Sequence, residues 1–352
     1  MPAPQASAPL HLRTSPHIHA GVSVEQIMRN VVIALLPVCA FAVYQFGWSA
    51  LALLLGTTAA CAATEHLICK LSGKPSTVND WSAVITGMLL ALTLPPACPV
   101  WMAALGGGFG IAVGKVVFGG IGHNLFNPAL VGRAFLQAAF PVAMTTWVPA
   151  RVPDRFSAFI PSTWTFPFTS PPKLDEWAAR AVDGFSGATP LAEWKFAGTT
   201  PDVTGLFTGT ATGSLGETSA LLILLCGAYL VVRGMMNWRI PAAMLLSAAL
   251  LSGVFYVAAP DTYPTPWFTL GAGGLMLGAV FMASDMVASP VTRSGVWIYG
   301  ALMGVLTVII RFKGGLPEGV MYAILLGNAA SPIIGHLTQP RPFGTRRRST
   351  SP

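Results

Sequence analysis

Ten stretches of this 352-residue chain come close to the length a helix needs to cross a bilayer, about 20 mostly apolar residues. They cover residues 30–46, 48–69, 81–99, 101–120, 125–144, 217–232, 240–259, 267–284, 296–310 and 319–335. Inside hydrocarbon every backbone N–H and C=O must find a partner within the protein, so runs of this length are expected to be helical. Composition agrees: 53% of the residues are hydrophobic and 9% charged, where an ordinary soluble domain carries roughly a quarter charged residues. The expected fold class is an all-α polytopic membrane protein with about ten transmembrane helices.

The formal net charge of +7 raises nucleic acid as a partner, but the positions of the basic residues argue for topology instead. Lysine and arginine in short loops mark the cytoplasmic side. With a cytoplasmic N-terminus, that side receives Arg13, Arg29, Lys70, Lys74, Arg233, Arg239, Arg293, Arg341, Arg346, Arg347 and Arg348, and the opposite short loops receive only Arg311 and Lys313. Five crossings precede the long segment 145–216, which is therefore expected outside the cytoplasm. Residues 1–25 hold no apolar core of signal-peptide length. The resulting division is a cytoplasmic N-terminal segment 1–25, a first five-helix unit 26–144, an exported loop 145–216, a second five-helix unit 217–336 and a basic cytoplasmic tail 337–352. No nucleic-acid partner is expected.

The two units read as related. Ile85 to Pro96 in the third stretch has a counterpart in Leu277 to Pro290 around the eighth, and Gly119-Gly120-Ile121 before the fifth matches Gly314-Gly315-Leu316 before the tenth. Five is odd, so the second unit inserts upside down, giving two inverted five-helix repeats; such folds place discontinuous helices and ligand sites at the repeat interface. Gly106, Gly110 and Gly114 share one helix face, as do Gly274 and Gly278. These faces serve either close helix packing or approach to a flat ring. Cys39, Cys61, Cys69, Cys98 and Cys226 fall in apolar spans without a Cys-x-x-Cys pair, so they read as small core residues. His17 and His19 have no third ligand nearby, and no metal site is expected.

Glu65, His66, Lys115, Arg133 and Asp285 lie within the spans, with Glu318 at an outer edge. Ionisable groups there serve ion or proton pathways, or pair with one another; Lys115 and Arg133 are long enough to snorkel. Asn127-Pro128 opens the fifth stretch, with proline where its missing N–H costs least. His123, Asn124 and Asn127 are candidates either to cap that helix or to line a cofactor.

The longest polar segment contains Asp183-Gly184-Phe185-Ser186-Gly187-Ala188-Thr189-Pro190-Leu191, small and turn-forming residues expected to carry Thr189 on an accessible, weakly structured loop. A short helix over residues 175–182 is expected to lead into it. Ser186-Gly187-Ala188-Thr189 resembles the flavinylation motif of the RnfD and NqrB membrane subunits, in which the threonine carries FMN through a phosphoester. Thr14 to His19, the run from Gly119 to Ala129, Met282-Ala283-Ser284-Asp285 and the run from Gly314 to Asn328 resemble further segments of that family. After Asp285 the chain reads Met286-Val287-Ala288, a departure from the Pro-Val-Thr frequent in the family.

The resemblance implies an RnfD-like subunit of the ion-translocating Rnf electron-transport complex in the bacterial inner membrane, with a fold similar to urea and ammonium channels. It implies covalent FMN on Thr189 with Ser186, Gly187 and Ala188 around it, a noncovalent riboflavin in some members, and electron relay coupled to Na+ or H+ movement. Its implied partners are the other Rnf subunits, a second flavoprotein subunit among them, and a flavin transferase for maturation. An NqrB-like subunit of a Na+-pumping quinone reductase and a flavin-free solute channel of the urea or ammonium type are the alternatives. The residues single out no side chain as catalytic.

Overall fold

The computed structural model describes residues 23–167, 169, 188–209, 211–217 and 219–340. Over these residues the chain is an all-α, largely membrane-embedded helical bundle. Its principal helices are α1 (Val24–Phe46), α2 (Trp48–Leu71), α3 (Ser82–Leu92), α4 (Val100–Ile111), α5 (Pro128–Ala139), α6 (Ala220–Val232), α7 (Arg239–Ala258), α8 (Pro266–Gly271), α9 (Arg293–Lys313) and α10 (Val320–Leu337). Five of them, α1, α2, α7, α9 and α10, are long and apolar enough to cross a membrane, and α3, α4 with the turn that follows it, and α6 are shorter apolar helices. Leu35, Leu53, Leu90, Leu92, Met244 and Tyr299 are sealed in one shared core. Leu55, Leu250, Val257 and Leu326 stay exposed, as a lipid-facing surface requires.

Helix ends follow local chemistry. The first helix begins at Val24 rather than near residue 30, because Ser23 Oγ accepts the Gln26 N–H at 3.2 Å and so caps a polar first turn. A single residue, Gly47 (φ 69°), turns α1 into α2; a Cβ there would lie 1.9 Å from the Arg155 carbonyl oxygen, so the position accepts only glycine. That carbonyl accepts the Trp48 N–H at 3.1 Å. Ile160 N–H donates to Ser49 Oγ at 2.8 Å and Val100 N–H to the Thr163 carbonyl at 3.1 Å. The described first part of segment 145–216 is thus packed down onto the bundle. The helix expected over 175–182 lies outside the described residues.

Two apolar stretches are interrupted. α3 stops at Leu92, and residues 93–99 continue as turns before α4. α8 stops at Gly271, Gly273 turns the chain at φ 65°, and the helix resumes as Leu275–Leu277 with a π-helical turn, Gly278–Met282. Another π-helical turn, Ala112–Val116, extends α4. The glycine face of α4 packs on α5: a Cβ on Gly110 would meet the Pro128 carbonyl oxygen at 2.5 Å, and one on Gly132 the Gly106 carbonyl oxygen at 2.5 Å. Close helix packing is the role the structure gives this face. All five cysteines are buried free thiols.

Overpacking a close contact costs about 1–3 kcal/mol. Gly132→Leu is therefore expected to lower the thermal unfolding midpoint of the detergent-solubilised protein, while Gly335→Ala, where a Cβ meets nothing within 4 Å, leaves it unchanged. Equal midpoints for the two variants would contradict the α4/α5 packing.

Candidate functional site

Thr189 is buried, with 3% of its surface exposed, which corrects the expectation of an accessible loop hydroxyl. The reason is tertiary. Pro190 starts a short helical run, Pro190–Ala192, continued by a π-helical turn, Glu193–Ala197, and Thr189 Oγ1 caps it by accepting the Ala192 N–H at 3.3 Å. Leu191 then sinks into a small apolar cluster with Leu206, Phe268 and Ala272, drawing Thr189 against the bundle. Ala188 is partly buried beside it; Ser186 and Gly187 lie outside the described residues. Thr189 lines a cavity whose other walls include Arg133, Trp147, Glu318, Met321 and Tyr322.

Buried cations organise that end of the bundle. Arg133 neither snorkels nor stands alone: Nη1 donates to the Thr93 carbonyl, at the broken end of α3, and Nη2 pairs with Glu318 Oε2 at 2.6 Å. Arg311, which its charge assigns to an outer loop, is instead fully sealed, with Nη1 on the Thr269 carbonyl at 2.7 Å and Nη2 on the Ala272 carbonyl at 2.9 Å. Each interrupted helix therefore ends on a guanidinium, which supplies donors to carbonyls that have lost their helical partners. Arg311 is the functional residue that reading the charges misses. The cue lies in its register, since Gly300, Met303, Gly304 and Thr307 precede it on the buried face of α9. Lys195 ties the Thr189 segment to the bundle by donating to the carbonyls of Arg311, Gly314 and Leu316 at 3.0, 2.6 and 2.9 Å; its partial burial lowers its pKa.

His123, Asn124 and Asn127 are not part of this cavity. They sit around the N-terminus of α5, whereas Arg133 and Gln137 of the Thr189 cavity lie further along a helix whose 12 residues span roughly 18 Å. Asn127 caps α5, accepting the Ala129 and Leu130 N–H groups at 3.0 and 3.4 Å, and its Nδ2 reaches the Met282 carbonyl at 3.5 Å. Asn124 and Asn127 line a second cavity with Lys115, Phe281 and Asp285, and His123 borders a neighbouring groove. Asp285 Oδ1 accepts the Val287 N–H at 3.0 Å. Lys115 is buried, bonded to Glu65 at 2.7 Å and to Ser82, with Asp80 at 3.8 Å. His66 is exposed and bonds Ser76. Among the described residues no group of His, Cys, Asp and Glu is arranged to hold a metal ion.

Residues 11–344 match the model of the NQR2, RnfD, RnfE family. The chain belongs to this family. As a family member it is a multi-pass membrane protein, consistent with a bacterial inner-membrane location, and a subunit of an ion-translocating oxidoreductase complex. It is 43% identical over 342 residues to the D subunit of the Na(+)-translocating ferredoxin:NAD(+) oxidoreductase complex of Acetobacterium woodii, covering 96% of each chain. It is 40% identical over 346 residues to the D subunit of the proton-translocating ferredoxin:NAD(+) oxidoreductase complex of Clostridium ljungdahlii, again with 96% of each covered. The D subunit of the ion-translocating oxidoreductase complex of Stutzerimonas stutzeri is 39% identical over 338 residues, with 93% of this chain and 94% of the relative covered.

Removing one partner of a buried ion pair costs about 3–5 kcal/mol, because the other charge is left unpaired. Lys115→Met is expected to lower the thermal midpoint strongly, and adding Glu65→Gln should restore most of the loss. A double variant no more stable than the single would contradict the pairing.

Proposed function

We propose that this chain is the flavin-bearing D subunit of an Rnf-type electron-transport complex, with FMN joined through a phosphoester to Thr189 on the outer side of the membrane. The observation that carries this reading is the place of the Thr189 hydroxyl: it lines a cavity walled by two aromatic side chains, Trp147 and Tyr322, and by the Arg133–Glu318 pair. These groups suit a flavin nucleotide, since aromatic faces stack on a flat ring and a guanidinium matches anionic or carbonyl oxygen. When bound, the flavin supplies the redox chemistry. The chain's own contribution is to tether, orient and charge-balance it.

The finer topology belongs to the same proposal: ten crossings in two inverted repeats, both ends cytoplasmic, and segment 145–216 outside. The interruptions of α3 and α8 fall one in each repeat, as paired discontinuous helices do in such folds. Burial of Thr189 adds an order of events. A flavin transferase reaches the hydroxyl only before Pro190–Ala197 packs down, so attachment precedes docking of the segment. The second cavity, lined by Lys115, Asn124, Asn127 and Asp285, offers both donors and acceptors to a neutral second flavin such as riboflavin. Electrons then pass between this subunit and a second flavoprotein subunit, coupled to Na+ or H+ movement by the complex.

Co-expression with a flavin transferase should give a band that fluoresces under ultraviolet light after denaturing electrophoresis, and a tryptic peptide heavier by one FMN. Thr189→Ala is expected to abolish both signals and Thr189→Ser to retain them. Fluorescence surviving in Thr189→Ala would reject Thr189 as the tether, and a nonfluorescent wild type that conducts solute in liposomes would favour a channel.

A further inference from the structure

Glu217 stands in the turn before α6 and Glu318 in the turn before α10, yet the two carboxyl groups come close enough to share a proton. Glu318 Oε2 is taken by Arg133 at 2.6 Å, and Glu217 Oε2 accepts the Ser214 N–H at 3.3 Å. The remaining oxygen of each, Oε1, is sealed from solvent and has no partner. Gly213 and Gly274 make room for Glu217: a Cβ on the first would meet Oε2 at 2.8 Å, and one on the second would meet Oε1 at 3.3 Å. Ser214 is 1% exposed, and its Oγ is likewise unpartnered.

Among the described residues Arg133 and Arg311 are the cations that act on this pair. Arg133 serves Glu318 and the Thr93 carbonyl, and Arg311 gives both terminal nitrogens to the Thr269 and Ala272 carbonyls while its Nε is sealed without a partner. Among the described residues Glu217 makes no ion pair. Two carboxylates in contact resist ionising together, and a sealed oxygen without a donor holds negative charge poorly.

We propose that Glu217 and Glu318 hold one exchangeable proton between their sealed Oε1 atoms, forming a proton-binding site at the outer ends of the interrupted helices. Taking up the proton changes the pair from two negative charges to one. The Glu318 side chain, 22% exposed, is the port to outer water, and release returns the proton there. A proton fits better than Na+: Arg133 already stands 2.6 Å from Glu318 and its charge opposes a further cation, and Glu217 Oε1, Glu318 Oε1 and Ser214 Oγ are fewer oxygens than a metal ion takes. The site stands on these residues alone and needs no group on Thr189.

Infrared difference spectroscopy of the whole complex in lipid tests this, comparing the wild type with Glu217→Gln across neutral to alkaline pH. The expected result is a protonated-carboxyl C=O band in the wild type that shifts in D2O, fades at alkaline pH and vanishes in Glu217→Gln. Glu318→Gln should displace the same band, which keeps the test usable if the first variant misfolds. A wild type without such a band, or a band unchanged in both variants, would overturn the proposal. Loss of the wild-type band on adding Na+ at fixed pH would overturn it too, assigning the pair to the metal ion.

Discussion

A helix that stops inside a membrane leaves carbonyl groups that no water can satisfy, and most of this structure follows from how those groups are served. α3 ends at Leu92 and α8 at Gly271, and in each case a guanidinium from another helix reaches the freed oxygens. Arg133 comes from α5 in the first half and Arg311 from α9 in the second. The backbone of the turn before α6 completes the first end, with the Gly216 N–H on the Leu92 carbonyl at 2.6 Å and the Leu215 N–H on the Leu94 carbonyl at 3.1 Å. Both interruptions therefore depend on residues from elsewhere in the bundle.

Arg133 also builds the Thr189 cavity. Arg133 draws Glu318 inward, and Glu318 brings with it the turn that carries Leu316 and the start of α10, where Met321 and Tyr322 line the Thr189 cavity. Lys195 completes the arrangement by fastening the segment after Thr189 to the end of α9. The second cavity is organised separately, by the α5 cap at Asn127 and the Lys115–Glu65 pair on the π-helical turn of α4. The chain thus has two cavities, each with charged side chains in its wall, toward opposite ends of one helix.

How much is readable without the structure depends on the range of the interaction. Apolar runs such as 240–259 become α7 within a residue or two, because hydropathy and helix formation are both local. The Asn127-Pro128 cap is readable for the same reason. Thr189 is misjudged from sequence because its burial rests on Leu191 meeting Leu206 and Phe268, contacts that a run of small polar residues does not announce. Arg311 is misjudged because a charge near the end of an apolar run resembles a loop residue; only its register on α9 and the carbonyls of a distant broken helix show that it belongs inside. Glu217 and Glu318 meet only through folding, so neither stretch alone points to the other.

Arginines hold the ends of the interrupted helices, and in the proposed function the cavity beside Arg133 receives the group carried by Thr189. A density map of the mature complex at side-chain resolution tests both at once. The predicted result is Arg133 on the Thr93 carbonyl, Arg311 on the Thr269 and Ala272 carbonyls, and density continuous from Thr189 Oγ1 into the space bounded by Trp147 and Tyr322. Uninterrupted helices in place of the breaks at Leu92 and Gly271, or a flavin leaving Thr189 away from that space, would contradict it.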